Sequence, residues 1–517
     1  MVGVPGRSNG CNTCRRRRVK CDEAKPLCAR CIKGGFQCQG YERHRTWHHT
    51  SSAPFADYNK PDQGTDVVVA TIRRHKTSPP RELSFVAFQS DFCFAALFDN
   101  FVHWAYGGTW MEKAASSGIG LTGESIKALA QAHLGRVHHM SEIYIEGIAR
   151  YGSCLRDMAA QIASTSKETS QLLVPMILFL IISNQESDRE STTAHAKGIA
   201  RLLHVCGPEA FQEQPLLDAF ESARSSLIIG SLIGRHRIFL EQDKWINIPW
   251  ARHEGEKTPQ TMLSDMLVKV PGLLEDYGHL LCLDQQTFAT DAKVLLTKVE
   301  ELLTDLFLWR WQWELISGRY VSSDTQVPFS STTLVCLDFP QPSAAHECML
   351  YNAVLMWVFG LLYKLEPCSA PMRIKACAAA ARIKGGLLGL PNYSSTAVYQ
   401  QVLALPGTVI SIRDAAIEIC LAYSWISRHH MLCREPARYY LFPMGMAVSV
   451  LGREHETYMW AREMLDASPV TKNYAAGSTG AANTAGFGFY VTEEAFHPGA
   501  GQPEDRLFSQ EDMKLLS

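Results

Sequence analysis

Apolar residues recur three and four positions apart through most of this chain, from about residue 83 to 470, and this spacing predicts a large all-α region. Phe85, Phe88, Phe92, Ala95, Phe98 and Val102 form one such stripe, widened by Phe94 and Phe101 and stopped at Gly107-Gly108, and predict a largely buried helix. Residues 140–163 continue in helical spacing. The run LLVPMILFLII at 172–182 is too short to cross a bilayer and predicts a buried helix. Over 194–208 the stripe Ile199, Leu202, Leu203 and Val205 ends at Gly207-Pro208, a helix stop. A further helix is expected from near Pro215 towards Trp245. Another, from Asp291 to Trp313, places Leu295, Val299, Leu302, Leu306, Trp309 and Trp313 on one face and Lys298, Glu301 and Asp305 towards water. Residues 345–365, 373–390, 408–427 and 441–466 supply more helices. Strand-like alternation is nearly absent.

The flanks lack this periodicity. Residues 46–82 contain Pro54, Pro61, Pro79 and Pro80 and read as a flexible linker, while 471–517 read as a Gly/Ala-rich and then acidic flexible tail. The expected organisation is therefore a small module over 1–45, the linker, an all-helical domain over 83–470, and the tail. No sustained heptads follow the first module, so a coiled-coil dimer is not expected. Monomeric binding and a homodimer through the helical domain both stay open.

Composition refines this picture in two ways. The chain has 517 residues and 46% hydrophobic content, ample for a large core, and its 16 cysteines include ten scattered ones that read as reduced core residues. Met1 to Gly10 is polar and glycine-rich, with no apolar secretory core, and no run spans a membrane, so a nuclear or cytoplasmic location is expected. Catalytic motifs are missing: Gly230 to Gly234 reads GSLIG instead of a nucleophile elbow, and His455-Glu456 has no second histidine at metalloprotease spacing. Trp309, Trp311 and Trp313 read as packing, and an enzyme is not expected.

The remaining chemistry lies in the other six cysteines. Cys11, Cys14 and Cys21 are followed by Cys28, Cys31 and Cys38 at the same gaps, so one unit is written twice. Two thiolates separated by two residues can grip one tetrahedral zinc from a tight turn, and a third can return to it. Each half offers three sulfurs, whereas two zinc ions need eight ligand positions, so two sulfurs must bridge. Repeat symmetry selects Cys11 and Cys28. A disulfide framework would need an oxidising compartment, and copper-thiolate binding gives no reason for the basic residues inside the first repeat.

Those residues are Arg15, Arg16, Arg17, Arg18 and Lys20, with Lys25, Arg30 and Lys33 in the second repeat. Residues 1–50 carry a net charge of +8 and the rest −10, a basic head on an acidic body. Zinc ligation on both sides is expected to fix the run as a short helix with an outward face suited to the major groove of DNA. Arginine forks there can read guanine O6 and N7 while other cations hold phosphates.

Residues 11–41, CNTCRRRRVKCDEAKPLCARCIKGGFQCQGY, resemble the DNA-binding domain of the fungal binuclear zinc cluster transcription factors, including Asp22 after the third cysteine and Pro26 in the connecting loop. The resemblance implies two Zn2+, double-stranded DNA with a short G/C triplet of CGG type, Arg17 and Arg18 at reading positions, and Arg15 and Lys20 at backbone-contacting positions. His195 to Pro208, the segment to Trp245 and Phe442-Pro443 give the body a resemblance to the all-α fungal-specific transcription factor regulatory domain. Together these imply a nuclear regulator of RNA polymerase II transcription that contacts the transcription machinery. Among relatives of this architecture, control of secondary-metabolite clusters is common, and control of nutrient use is the alternative. A zinc adaptor or non-specific nucleic-acid clamp is the contrasting reading.

Overall fold

Helices with one apolar stripe can bury it only against one another, and the larger part of the chain is built in that way. In the computed structural model the described residues are 10–41, 85–99, 109–116, 120–163, 169–186, 188–318, 321–329, 332–386, 403–429, 441–451 and 456–467. The expected linker and tail lie outside them. The chain divides into two units, Met1–Thr77 and Ser78–Ser517. The first holds α1 (Asn12–Arg16) and α2 (Ala29–Lys33).

The second unit begins with α3 (Phe85–Leu97), α4 (Thr109–Ser116), α5 (Leu121–Val137), α6 (Ser141–Ala163), α7 (Leu173–Gln185), α8 (Arg189–Cys206) and α9 (Leu216–Gly234). It continues with α10 (Asp243–Asn247), α11 (Pro259–Leu267), α12 (Val270–Leu280) and α13 (Gln285–Ile316). After a hairpin of β1 (Ser322–Phe329) and β2 (Thr332–Asp338) come α14 (Pro342–Leu365), α15 (Ala370–Lys384), α16 (Ile412–His429), α17 (Leu441–Val450) and α18 (Glu456–Ala467). One contiguous apolar core runs from α3 to α18.

Residues explain which helices sit deepest. α7 and α14 carry apolar residues all round, α14 with a few polar ones such as Glu347 and Asn352 among them, and both are buried almost throughout. α14 is long and apolar enough to cross a membrane, but most of it lies inside this core. α5 and α6 approach closely because of two glycines: a Cβ on Gly135 would lie 2.4 Å from the Tyr144 nitrogen, and one on Gly147 would lie 2.5 Å from that of Ala132. The expected face of α13 is confirmed, with Leu295, Val299, Leu302, Leu306, Trp309 and Trp313 all buried. Trp309 stacks on Trp313 and on Tyr351, so the tryptophans serve packing.

Polar groups also enter the core. Arg310 is fully buried and donates to Glu418 at 3.1 Å, while its Nε lies 3.6 Å from Glu314. Glu418 also accepts from Asn352 at 3.1 Å, from the Ala404 N–H at 3.2 Å and from the Cys348 thiol at 3.4 Å. Burial alone would lower the Arg310 pKa, but Glu418, Cys348 and Glu314 outweigh it and keep the guanidinium charged.

The structure corrects four expectations. α3 turns Cys93 and Leu97 inward, whereas Phe88 and Phe92 from the expected core stripe are 41% and 57% exposed. Two adjacent aromatic stripes share that helix, and its packing partner selects the other one. On α8, Ile199, Leu202 and Leu203 are buried but Val205 in the last turn is exposed. The helix beginning near Pro215 stops at Gly234, where Arg235 adopts a left-handed conformation, before the short α10 carries Trp245. Finally, β1 and β2 pair antiparallel from Ser322↔Asp338 to Phe329↔Thr332, with a register shift between Asp324 and Val327. The fold is therefore mostly α with one hairpin. Mutual pairing supplies the backbone hydrogen bonds that weak alternation did not signal.

Candidate metal centre and nucleic-acid interface

Each half of the cysteine module uses its first cysteine to start a helix. Cys11 has extended backbone and its sulfur accepts the Cys14 N–H at 3.3 Å; Cys28 does the same for Cys31 at 3.2 Å. The third cysteine of each half is held in the same manner. Cys21 accepts from the N–H groups of Cys11 and Glu23, each at 3.4 Å, and Cys38 is hydrogen-bonded by those of Cys28 and Gly40.

The backbone repeats at the same offset of seventeen residues. Val19 donates to the Cys14 carbonyl at 3.0 Å and Phe36 to that of Cys31 at 2.9 Å. Arg18 and Gly35 are both left-handed, with φ of 53° and 67°, and so are Glu23 and Gly40, with φ of 58° and 69°. Glycine adopts this conformation without steric cost; arginine does not.

The sulfurs meet at the centre. Two sets, Cys11, Cys14, Cys21, Cys28 and Cys11, Cys28, Cys31, Cys38, each keep their sulfurs within 4.8 Å of one another. Cys11 and Cys28 belong to both sets, as a bridging role requires. Within the sets the sulfur separations are 3.6 Å for Cys11–Cys28, 3.8 Å for Cys11–Cys31 and 3.7 Å for Cys14–Cys28. A tetrahedron with zinc–sulfur bonds of about 2.3 Å has edges of about 3.8 Å, so the donor set fits zinc in number, type and size. The described cysteines are free, at separations far too long for disulfides.

Electrostatics set Cys21 and Cys38 apart from Cys14, Cys28 and Cys31. Backbone donation, first from Cys11, draws Cys21 down to about 6, and donation from Cys28 and Gly40 lowers Cys38. Burial pushes Cys14, Cys28 and Cys31 up to about 12. Zinc binds cysteine as the thiolate, so metal uptake by protonated thiols expels protons. Burial would also raise Asp22, but its own N–H and those of Ala29 and Arg30 outweigh this and lower its pKa. Its carboxylate adds a second acceptor at the start of α2, taking the Ala29 N–H at 2.9 Å beside the Cys28 cap. Val19 and Tyr41 cover the sulfurs, and the Tyr41 hydroxyl donates to the Ala24 carbonyl at 2.8 Å.

Arg15, Arg16, Arg17, Arg18, Lys20, Lys25, Arg30 and Lys33 are all exposed. The helix is shorter than expected: α1 contains Arg15 and Arg16, Arg17 caps it, and Arg18 and Lys20 lie beyond it. The chain has to turn there because Cys21 must return to the sulfurs. Arg16 donates to the Gln39 side chain at 3.0 Å, and the Arg17 guanidinium lies over the Phe36 ring, 3.4 Å from its centroid. Sequence reasoning missed Phe36 and Gln39. The signal was available, since Phe36 follows Cys31 by the interval at which Val19 follows Cys14.

Comparison with known proteins agrees with this geometry. Residues 9–48 match the fungal Zn(2)-Cys(6) binuclear cluster domain, and the six cysteines are clustered to bind two zinc ions. An uncharacterized protein of Emericella nidulans is 24% identical over 187 residues, covering 34% of this chain and 40% of the relative. The Zn(2)-C6 fungal-type transcription factor aoiH of Aspergillus oryzae is 37% identical over 76 residues, 14% of this chain and 19% of the relative. The aspercryptin biosynthesis cluster-specific transcription regulator atnN of Emericella nidulans is 64% identical over 39 residues, 7% of this chain and 6% of the relative. The matches thus span two fifths or less of these relatives. No solved structure matches the chain.

Proposed function

We propose that this chain is a nuclear, zinc-dependent, sequence-specific DNA-binding regulator of RNA polymerase II transcription, and not an enzyme. One observation carries the reading. At the turn after each short helix the second half has Gly34-Gly35, whereas the first has Arg17-Arg18, with Arg18 in the left-handed conformation that suits its glycine counterpart. A cation placed at Arg18 at a conformational cost of about 1 kcal/mol, next to a second at Arg17, points to a binding role.

In this reading Cys11, Cys14, Cys21, Cys28, Cys31 and Cys38 ligate two zinc ions, with Cys11 and Cys28 bridging. Arg17 and Arg18 face base edges of a G/C triplet, while Arg15, Arg16, Lys20, Lys25, Arg30 and Lys33 face phosphates. The helical body acts as a fungal-specific regulatory domain, offers a surface for a homodimer and contacts the transcription machinery. The name of the atnN relative supports control of a secondary-metabolite gene cluster.

Selection of bound duplexes from a randomised pool, with the zinc-loaded full chain and a salt series, tests the proposal. One enriched G/C triplet is expected for a monomer and two at fixed spacing for a dimer. Tight binding with no enriched sequence would replace this reading by a non-specific clamp.

A further inference from the structure

The two halves of the metal module repeat nearly bond for bond, so their differences need a reason beyond holding metal. Phe36 stands where Val19 stands in the first half, and both backbones make the same hydrogen bond to the middle cysteine's carbonyl. Their side chains then part. Val19 packs half-buried against the sulfurs, whereas Phe36 stays 45% exposed and outside that cluster. Its ring instead lies under the Arg17 guanidinium.

Two features hold the ring in place. A Cβ on Gly34 would come within 2.9 Å of the Phe36 ring, so glycine at that position lets the ring fold back. The segment from Phe36 to Gly40 is also tied along α1. Asn12 N–H donates to the Gly40 carbonyl at 2.9 Å, and Gln39 N–H donates to the Thr13 hydroxyl at 2.9 Å. That hydroxyl in turn donates to the Gln37 carbonyl at 3.0 Å. The second half thereby carries a ring to a fixed place beside the end of α1.

We infer that Phe36 is a positioning residue for base recognition: it clamps the plane of the Arg17 guanidinium and so sets discrimination at the base pair that Arg17 faces. The inference rests on the DNA-reading role proposed above. A guanidinium lying against a ring keeps its in-plane N–H donors available, and two parallel donors are what the O6 and N7 edge of guanine accepts. Fixing that plane before binding removes part of the ordering cost of a long side chain. The neighbouring arginines differ: Arg16 is tied to Gln39, and among the described residues Arg18 has no ring partner.

The test compares wild type, Phe36→Leu, Phe36→Trp, Arg17→Ala and the double variant Arg17→Ala/Phe36→Leu as zinc-loaded full chains. The readouts are zinc per chain, the selected sequence, affinities for that site and its single-base variants, and the salt slope. Phe36→Leu is expected to keep two zinc ions and the wild-type salt slope yet lose roughly three- to tenfold discrimination at one base pair. Phe36→Trp should restore it, and Phe36→Leu should add nothing to Arg17→Ala. Unchanged discrimination in Phe36→Leu, or loss of zinc from it, would overturn the inference while leaving the proposed function standing. If wild type itself selects no sequence, the proposed function fails and the inference fails with it.

Discussion

Arg18 and Gly35 occupy equivalent left-handed turns of the two half-modules, one as a cation and the other as the residue the backbone prefers. Holding metal asks for glycine at both turns. Arginine at the first therefore trades local stability for an outward charge, which makes the two contributions separable.

Arg18→Gly should bind zinc as tightly as wild type, or more tightly by up to ~1 kcal/mol, because it relieves a left-handed arginine. DNA discrimination should fall by ~1–3 kcal/mol. Chelator competition and binding to single-base variants measure the two effects. Weaker zinc binding together with unchanged discrimination would contradict the assignment.

The sharing of sulfurs predicts unequal cysteine variants. Cys28→Ala removes a member of both four-sulfur sets and should cost both zinc ions, whereas Cys38→Ala touches only one set and should leave one ion bound. Intact-complex mass spectrometry reads the stoichiometry directly. Equal losses would argue against Cys28 as a bridge.

Zinc removal should act on one unit of the chain alone. The described module buries little besides its sulfurs, so chelation should unfold it and abolish DNA binding. The body has its own contiguous core and should retain its helical circular dichroism and its thermal transition. Collapse of the body on chelation would show that its core depends on the metal.

Within that core, Glu418 is the acceptor for a fully buried Arg310. Glu418→Ala removes the closer of the two carboxylates beside Arg310, leaving Glu314 alone there, and should destabilise the body by about 3 kcal/mol. Glu418→Gln, which keeps an acceptor oxygen, should cost less. Urea unfolding of the full chain provides the comparison, and a loss below ~1 kcal/mol for the alanine variant would mean that Glu314 alone suffices to hold Arg310.

The metal module was legible because cysteine identity and spacing carry its chemistry directly: zinc accepts few ligand types and few separations. The body was legible wherever one stripe dominated, as along α13 from Leu295 to Trp313. It failed on α3, where Phe88 and Phe92 compete with a second apolar face, because periodicity shows that a helix has stripes but cannot say which one its neighbours cover. The extent of the basic helix was misread for a different reason. Cys21 pulls the chain back to the cluster, and that long-range demand ends α1 before the arginines run out. The repeat marks Phe36 as the counterpart of Val19, but it does not show that the ring reaches Arg17 in the other half, a contact that only the folded module makes.

The seventeen-residue repeat gives the module a near two-fold frame that, taken alone, has no front or back. The halves differ at Arg17-Arg18-Val19 against Gly34-Gly35-Phe36, and also at Arg15 against Ile32 and Lys20 against Gln37, and under the proposed function these differences set its heading on a duplex. Exchanging the charged positions of the two halves while Val19 stays over the sulfurs should keep the metal frame and turn the protein end for end, so that the rest of the chain departs from the opposite side of its site.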